Sequence, residues 1–127
     1  MIATPDKQAV TVCLVDDDPS VLKARSRLLS FEGWKVESFL DPIAFLRYAR
    51  THRPEIVVID IWMPVVNGLD VQRQLRALSP STRVVILTSN DDPAVRSEAM
   101  QAGARAFFLK TAAHDEFLAA IESAVSG

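Results

Sequence analysis

The sequence contains few of the residues that build cross-links or cofactor loops. Cys13 is the only cysteine, which excludes an internal disulfide and a zinc site made of cysteines. Because Cys13 lies within an apolar run, we predict that its thiol is buried and inert. Only four residues are glycine, and none lies in the loop directly after the first predicted strand. A glycine-rich loop that cradles a phosphate is therefore not expected at that point.

The chain also lacks a basic surplus and a long apolar segment. Its 127 residues carry 14 basic and 16 acidic side chains, which gives a formal net charge of −2. Proteins that bind a nucleic-acid backbone usually show a basic surplus or stripe, so we expect no direct nucleic-acid binding. The apolar runs are too short to cross a bilayer, and residues 1–8 lack the apolar segment of a signal peptide. The sequence predicts a cytoplasmic domain without membrane contact.

Short β-branched runs alternate with helical patterns along the chain. The predicted strands cover residues 10–15, 34–39, 55–60, 83–88 and 106–110. An aspartate followed by a proline precedes the first, second and fourth helices. The aspartate is a typical N-cap, and the proline fits the first helical position. Asn67-Gly68 turns into the third helix, and the last helix is predicted from about Ala113 to Val125.

These five β-α units predict an α/β fold with a doubly wound parallel sheet and helices on both faces, because each right-handed crossover needs a helix. The second strand alternates apolar and polar residues, whereas the third and fourth are continuously apolar. The second strand is therefore predicted at an edge of the sheet. Residues 1–9 show no such pattern, and we predict a loose N-terminal arm followed by one domain over 10–127.

Polar side chains stand at the carboxyl ends of four predicted strands, where open parallel sheets bind ligands. Asp16 and Asp17 follow the first strand, Asp60 ends the third, Thr88 ends the fourth and Lys110 ends the fifth. Taken singly, each has an ordinary explanation as a turn former, helix cap or solvated strand end. Their coincidence at one edge of a small sheet favours a functional site.

The chemistry of this group is specific. Clustered carboxylates repel one another, and a hard divalent cation with oxygen ligands, most plausibly Mg²⁺, relieves the repulsion. A carboxylate beside Mg²⁺ can attack a phosphoryl group and form an acyl phosphate. The equatorial phosphoryl oxygens then need positive charge and a hydrogen-bond donor, which Lys110 and Thr88 would supply.

This constellation resembles the receiver domain of two-component response regulators. The matching stretches are Val12–Pro19, Ile56–Pro64 with Asn67-Gly68, Val84–Ser89 and Ala102–Lys110. The resemblance covers residues 10–126 and implies a flavodoxin-like, CheY-like fold with five strands in the order 2-1-3-4-5 and five helices.

The resemblance also implies roles for individual residues. Asp60 would be the phosphate acceptor, and Thr88 and Lys110 would contact the phosphoryl oxygens. The Mg²⁺ ligands would come from Asp16, Asp17, Asp60 and the backbone carbonyl of Trp62, with Asp17 binding directly and Asp16 mainly through water. Asp18 is a rival for the acidic pair, but Pro19 after it favours a helix cap.

The implied function is a phosphorylation-dependent switch rather than a turnover enzyme. Its partners would be a sensor histidine kinase or a histidine phosphotransfer protein, and a downstream effector, with a homodimer as a further possibility. The readout face would be the fourth helix, the fifth strand and the fifth helix. Phe107 stands where the family has a switch aromatic that turns inward when Thr88 moves, although it is equally interpreted as a core residue.

The sequence departs from the family pattern at three positions. Thr111 replaces the proline that usually follows the lysine with a cis bond, so a trans bond is expected here. Trp62 follows the acceptor by two residues, where it would either shield an acyl phosphate from water or contact a partner. Asn90, small and neutral, stands two residues after Thr88.

Three other functions have to be weighed against this one. An FMN carrier of the same topology would need a phosphate-binding loop after the first strand, where this chain has three aspartates. An aspartyl-phosphate phosphatase would need a second carboxylate two residues after Asp60, where Trp62 stands. An interaction-only receiver that takes no phosphate remains the main alternative. The sequence is equally compatible with a stand-alone receiver and with one cut from a longer regulator.

Overall fold

Strands and helices alternate in the computed structural model, which describes residues 6–63 and 66–126. The strands are β1 (Thr11–Val15), β2 (Lys35–Phe39), β3 (Ile56–Ile59), β4 (Arg83–Thr88) and β5 (Ala106–Leu109). The helices are α1 (Pro19–Phe31), α2 (Pro42–His52), α3 (Gly68–Leu78), α4 (Pro93–Gln101) and α5 (His114–Ser126). The strands form one parallel sheet in the order β2-β1-β3-β4-β5, which confirms the predicted fold and places β2 at an edge.

Two apolar cores cover the two faces of the sheet, because successive strand side chains point to opposite sides. One core joins the inward residues of α2, α3 and α4, such as Phe45, Leu75 and Ala99, to Cys13 and other strand residues. The second core joins α1 and α5 to the opposite face of the strands. Cys13 is fully buried, as predicted, and burial raises the pKa of its thiol to about 12.

The helix starts form as the local sequence predicts. The side chains of Asp18, Asp41 and Asp92 each accept a hydrogen bond from the backbone two residues on, at 2.9 Å, ahead of a proline in the first helical turn. Asn67 caps α3 through Asp70 N at 3.1 Å. These caps fix where each helix leaves the loop that follows a strand, and those loops carry the candidate site.

Part of the predicted arm is attached to the domain. Residues Lys7–Ala9 form a 3-10 turn, and Lys7 Nζ donates to the Glu32 carbonyl at 3.0 Å and lies 5.3 Å from the ring centre of Trp34. Residues 1–5 of the arm, and Pro64 of the third-strand motif, lie outside the described residues. The domain boundary at residue 10 stays a prediction.

Two further features bear on the predictions. Across residues 6–63 and 66–126 no peptide bond is cis, so the Lys110–Thr111 bond is trans. None of the helices in these ranges combines the length and the apolar composition needed to cross a membrane.

Candidate functional site: an acidic cluster at the carboxyl edge of the sheet

The main chain of the site residues continues the hydrogen-bond pattern of the sheet. Asp60 N donates to Val15 O at 3.0 Å, Lys110 N to Thr88 O at 2.7 Å and Asp16 N to Phe39 O at 3.2 Å. Each residue lies directly beyond the last residue of its strand. Hydrogen bonds to neighbouring strands therefore fix the backbone from which each of these side chains extends, so the positions of the side chains do not depend on loop conformation alone.

The structure brings four of the predicted residues together. Carboxylate oxygens of Asp16, Asp17 and Asp60 lie within 4.8 Å of one another. Asp16 and Asp60 are buried, whereas Asp17 is exposed. The Lys110 ammonium lies 2.8 Å from Asp16 Oδ2 and 3.4 Å from Asp60 Oδ2. The cluster is a set of oxygen ligands of the kind that Mg²⁺ prefers, with one cation against its buried side.

Burial dominates the electrostatics of Asp60. It raises the pKa of this carboxyl to about 6, and the charge of Asp16 acts in the same direction. The Lys110 ammonium and the Trp62 backbone N–H, which donates to Asp60 Oδ1 at 3.2 Å, act in the opposite direction. Burial also lowers the pKa of Lys110, but hydrogen bonding to Asp16 and the charges of both carboxylates outweigh it and leave the pKa raised. Lys110 therefore stays protonated, and the charged form of Asp60 is disfavoured by its burial.

This raised pKa predicts a pH-dependent stability in metal-free solution. The folded protein protonates Asp60 near pH 6 and the unfolded chain near 3.8, so the destabilisation by Asp60 is present above pH 6 and fades as the pH falls. Relative to Asp60→Asn, the wild type should gain about 2 kcal/mol in free energy of unfolding between pH 8 and pH 4.5. Urea unfolding in EDTA at both pH values measures this change. An equal difference at the two pH values would contradict it.

Asp18 does not join the cluster. Its side chain caps α1 through Ser20 N, and its own backbone N–H donates to Asp16 Oδ1 at 2.9 Å. One oxygen of Asp16 therefore organises the loop and the other contacts Lys110. The interpretation of Asp18 as a cap is confirmed, and Asp17 is the exposed carboxylate of the cluster.

Thr88 and Trp62 meet at the next loop. Thr88 is fully buried at the end of β4, and its hydroxyl donates to the Asn90 carbonyl at 3.3 Å. The Trp62 indole N–H donates to the same carbonyl at 3.4 Å, and its side chain remains 42% exposed. The Trp62 side chain therefore connects the loop after β3 to the loop after β4, while its backbone N–H contacts Asp60.

Phe107 lies in a core rather than in the cluster. It is buried among residues of the α2–α4 side, and the guanidinium carbon of Arg96 lies 5.4 Å from its ring centre. Phe108 packs against the core on the other face. The switch role of Phe107 stays a prediction.

Gly68 lies closer to the backbone of Asp60 and Ile61 than its place in a turn suggests. Its N–H donates to Ile61 O at 2.9 Å. A Cβ at this position would lie 2.5 Å from the Asp60 carbonyl oxygen and 2.9 Å from Ile61 Cα. Because these neighbours are backbone atoms, only glycine permits α3 to start this close to Asp60.

Arg25 is a site neighbour that the sequence analysis did not identify. It lies on the buried stripe of α1, three residues after Leu22 and four before Leu29, and a charge on such a stripe was the available signal. Its Nη2 donates to the Lys110 carbonyl at 2.8 Å, and its guanidinium carbon lies 4.9 Å from the ring centre of Phe117. Burial lowers the pKa of Arg25, and the charge of Asp16 opposes that shift.

Comparison with known proteins agrees with the arrangement of these residues. A sequence profile of the response regulator receiver domain matches residues 12–122, which include the whole acidic cluster and Lys110. The chain belongs to the response regulator receiver family. This confirms the resemblance drawn from the sequence and makes the chain a receiver domain of the kind used in two-component systems.

Individual receivers show how far the similarity extends. Response regulator MprA of Mycobacterium sp. (strain KMS) is 37% identical over 110 residues, covering 87% of this chain and 48% of that protein. The chain thus spans about half the length of the curated relatives it matches. A LuxR-family two-component response regulator from Aurantimonas sp. SI85-9A1 is 30% identical with a TM-score of 0.85, over 92% of this chain and 85% of that one. A CheY-like receiver from Methanospirillum hungatei JF-1, 22% identical, shares the fold with a TM-score of 0.87, over 91% and 93% of the two chains.

Proposed function

We propose that this receiver is a phosphorylation-dependent signalling switch with Asp60 as its phosphate acceptor. The phosphoryl group would come from a phosphohistidine on a sensor histidine kinase or a histidine phosphotransfer protein. The convergence of Asp16, Asp17 and Asp60 with Lys110 at one edge of the sheet carries this proposal. The domain modifies itself and controls other proteins, so it is a switch rather than a turnover enzyme.

The donor set fits Mg²⁺. Asp17 and Asp60 would hold the ion together with the Trp62 carbonyl, and Asp16 would act mainly through water. Bound Mg²⁺ supplies positive charge that draws in a phosphate-bearing donor and offsets the charge of the transferred group. Asp17 is exposed, so a cation could reach it from solvent, whereas Asp60 is buried and would hold the ion at a fixed position.

Four residues of the chain would have separate roles in phosphoryl transfer. An Asp60 oxygen forms the new bond to phosphorus as the bond from phosphorus to the donor's imidazole nitrogen breaks. The Trp62 backbone N–H, which donates to Asp60 Oδ1, holds the carboxylate in one orientation. Lys110 Nζ, 3.4 Å from Asp60 Oδ2, provides a fixed positive charge for the phosphoryl oxygens. The Thr88 hydroxyl would exchange the Asn90 carbonyl for a phosphoryl oxygen.

The movement of Thr88 links the site to the readout face. Its departure from Asn90 would leave space beside β4, and Phe107 borders β4 from the adjacent strand. A shift of Phe107 would also move Arg96 on α4, which packs over its ring. The face formed by α4, β5 and α5 would then bind an effector or a second copy of the chain. The domain itself would contact neither nucleic acid nor membrane, and would act in the cytoplasm.

Phosphorylation by a small phosphodonor tests the proposal. The purified protein is incubated with acetyl phosphate, with Mg²⁺ or with EDTA, beside Asp60→Ala, and its intact mass is measured. We expect one phosphoryl group on the wild type with Mg²⁺ and none in the other two samples. Modification that persists in Asp60→Ala would contradict the assigned acceptor, and a wild type without adduct would favour an interaction-only receiver.

We predict that the Trp62 side chain lengthens the lifetime of the phosphorylated state. The Trp62 backbone N–H donates to Asp60 Oδ1 and its indole N–H donates to the Asn90 carbonyl, so the exposed indole would reduce access of water to an acyl phosphate on Asp60. We expect Trp62→Ala to shorten the lifetime of the phosphorylated protein about threefold to tenfold. Phe31→Ala, which removes another exposed aromatic side chain at the end of α1, is the control and should leave the lifetime unchanged. An unaltered lifetime in Trp62→Ala would instead favour a partner contact.

A further inference from the structure

Both main-chain polar groups of Lys110 are hydrogen-bonded: its N–H to a neighbouring strand and its carbonyl to a distant side chain. Its N–H donates to Thr88 O, which continues the ladder between β4 and β5. Its carbonyl accepts from Arg25 Nη2 at 2.8 Å, across 85 residues of sequence. The chain turns out of the sheet after Leu109, and among the described residues the Arg25 guanidinium is the group that bonds this carbonyl.

The turn after Lys110 needs such a support. The chain leaves the sheet through Thr111 and Ala112 and enters α5 at His114, with Ala112 N bonded to Leu109 O at 2.9 Å. Thr111 has no ring to restrict its backbone, so the conformational freedom of this turn has to be removed by contacts. A charge-assisted hydrogen bond to Lys110 O is the strongest type of contact available for that purpose.

Arg25 is itself held in place by two other groups. Its guanidinium lies over the ring of the fully buried Phe117, which belongs to α5, and it is attracted by the charge of the buried Asp16. The side chain also borders a small cavity shared with Asp16 and Asp60. One guanidinium therefore joins α1, the turn after β5 and the first half of α5 around the cluster.

We propose that Arg25 is a positioning residue for phosphoryl transfer: it fixes the Lys110 carbonyl so that the Lys110 ammonium stays on Asp16 and Asp60. This inference rests on the proposed function of Asp60. It differs from a packing role, in which the aliphatic part of Arg25 covers Phe117 and the guanidinium is dispensable. Methionine at position 25 keeps most of that cover and removes the hydrogen bond and the charge, so Arg25→Met separates the two roles.

The two functions of the guanidinium predict effects of opposite sign in Arg25→Met. Losing the hydrogen bond lets Lys110 leave Asp60, so we expect phosphorylation by acetyl phosphate at saturating Mg²⁺ to slow about tenfold. Losing a positive charge near Asp16 favours cation binding, so the Kd for Mg²⁺ should fall about twofold to threefold. General loosening of the site would instead weaken Mg²⁺ binding.

Two variants complete the test. Arg27→Met removes an exposed arginine from the same helix and should match the wild type in both measurements. Arg25→Lys keeps the charge but loses the planar group that bonds Lys110 O while stacked on Phe117. Arg25→Lys should therefore have the wild-type Kd for Mg²⁺, while its rate of phosphorylation stays several-fold below that of the wild type. If Arg25→Met does not fold, Arg25→Lys carries the test on its own.

The outcomes separate this inference from the proposed function. Mg²⁺ binding by calorimetry and the rate of phosphorylation by mass spectrometry are measured for each folded variant. A wild-type rate in Arg25→Met or in Arg25→Lys, with the wild type phosphorylated normally, would overturn the role of Arg25 alone. A wild type that takes no phosphoryl group would overturn the function, and the positioning role with it.

Discussion

Replacing Lys110 by alanine is expected to slow phosphorylation of Asp60 by about 100-fold or more at saturating Mg²⁺ and phosphodonor. The Lys110 ammonium contacts both Asp16 and Asp60, at 2.8 and 3.4 Å, and in the proposed function it would balance the charge of the phosphoryl oxygens. In the buried part of the site no solvent molecule replaces a fixed charge without reorganisation, which makes its loss costly. The rate is measured as the appearance of the phosphorylated mass.

The same substitution should strengthen Mg²⁺ binding. Lys110 would compete with a cation for Asp16 and Asp60, because its removal leaves two carboxylates without this counter-charge on the buried side. In Lys110→Ala we therefore expect calorimetry to give a lower Kd for Mg²⁺ than in the wild type, even though phosphorylation is slower. Lys35→Ala, at the opposite end of the sheet, is the matched control and should change neither quantity. Weaker Mg²⁺ binding in Lys110→Ala would show that the lysine supports the metal site instead of competing with it.

Gly68→Ala is expected to be the most damaging small substitution in the loop that follows Asp60. The new Cβ would lie 2.5 Å from the Asp60 carbonyl oxygen and 2.9 Å from Ile61 Cα, so the start of α3 has to move away from β3. Overpacking of this kind costs about 1–3 kcal/mol in free energy of unfolding. A displacement of about 1 Å at a reacting group can lower a rate about 100-fold, and we expect a loss of that order in phosphorylation. Urea unfolding and the phosphorylation assay measure the two effects.

Gly103→Ala controls for stability in this comparison. Gly103 has a φ of +102°, which strains any residue with a Cβ, but apart from its own chain neighbours no atom of the described residues lies within 4 Å of the position where that Cβ would be. The variant should therefore lose stability through backbone strain and keep the wild-type rate of phosphorylation. If both glycine variants lost activity in proportion to their stability, the close approach of Gly68 to Asp60 would have no specific role.

Local signals explain why so much of the fold was predictable. Each aspartate before a proline marks a helix start, and the caps at Asp18, Asp41 and Asp92 form as those signals predict. Continuous apolar runs identify the buried strands, and a parallel sheet necessarily brings the residues after those strands to one edge. The meeting of Asp16, Asp60 and Lys110 follows from that topology.

The contacts of Arg25 and Gly68 could not be predicted in the same way. The bond from Arg25 to Lys110 O depends on how α1 is rotated over the sheet and on where the chain leaves β5. Spacing along α1 shows that Arg25 shares a stripe with leucines, but it does not show which backbone group lies opposite. The clearance between Gly68 and Asp60 is set by how closely α3 begins to the end of β3, and the pair Asn67-Gly68 indicates only a turn.

The central claim is that Asp60 carries the phosphoryl group as an acyl phosphate. Borohydride reduces such a group to an alcohol, which turns the modified aspartate into homoserine, and peptide mass spectrometry then locates it. After treatment with acetyl phosphate and Mg²⁺, we predict homoserine at position 60 alone and none without Mg²⁺. Homoserine at position 16 or 17, or a phosphorylated protein that yields no reduced aspartate, would contradict the account.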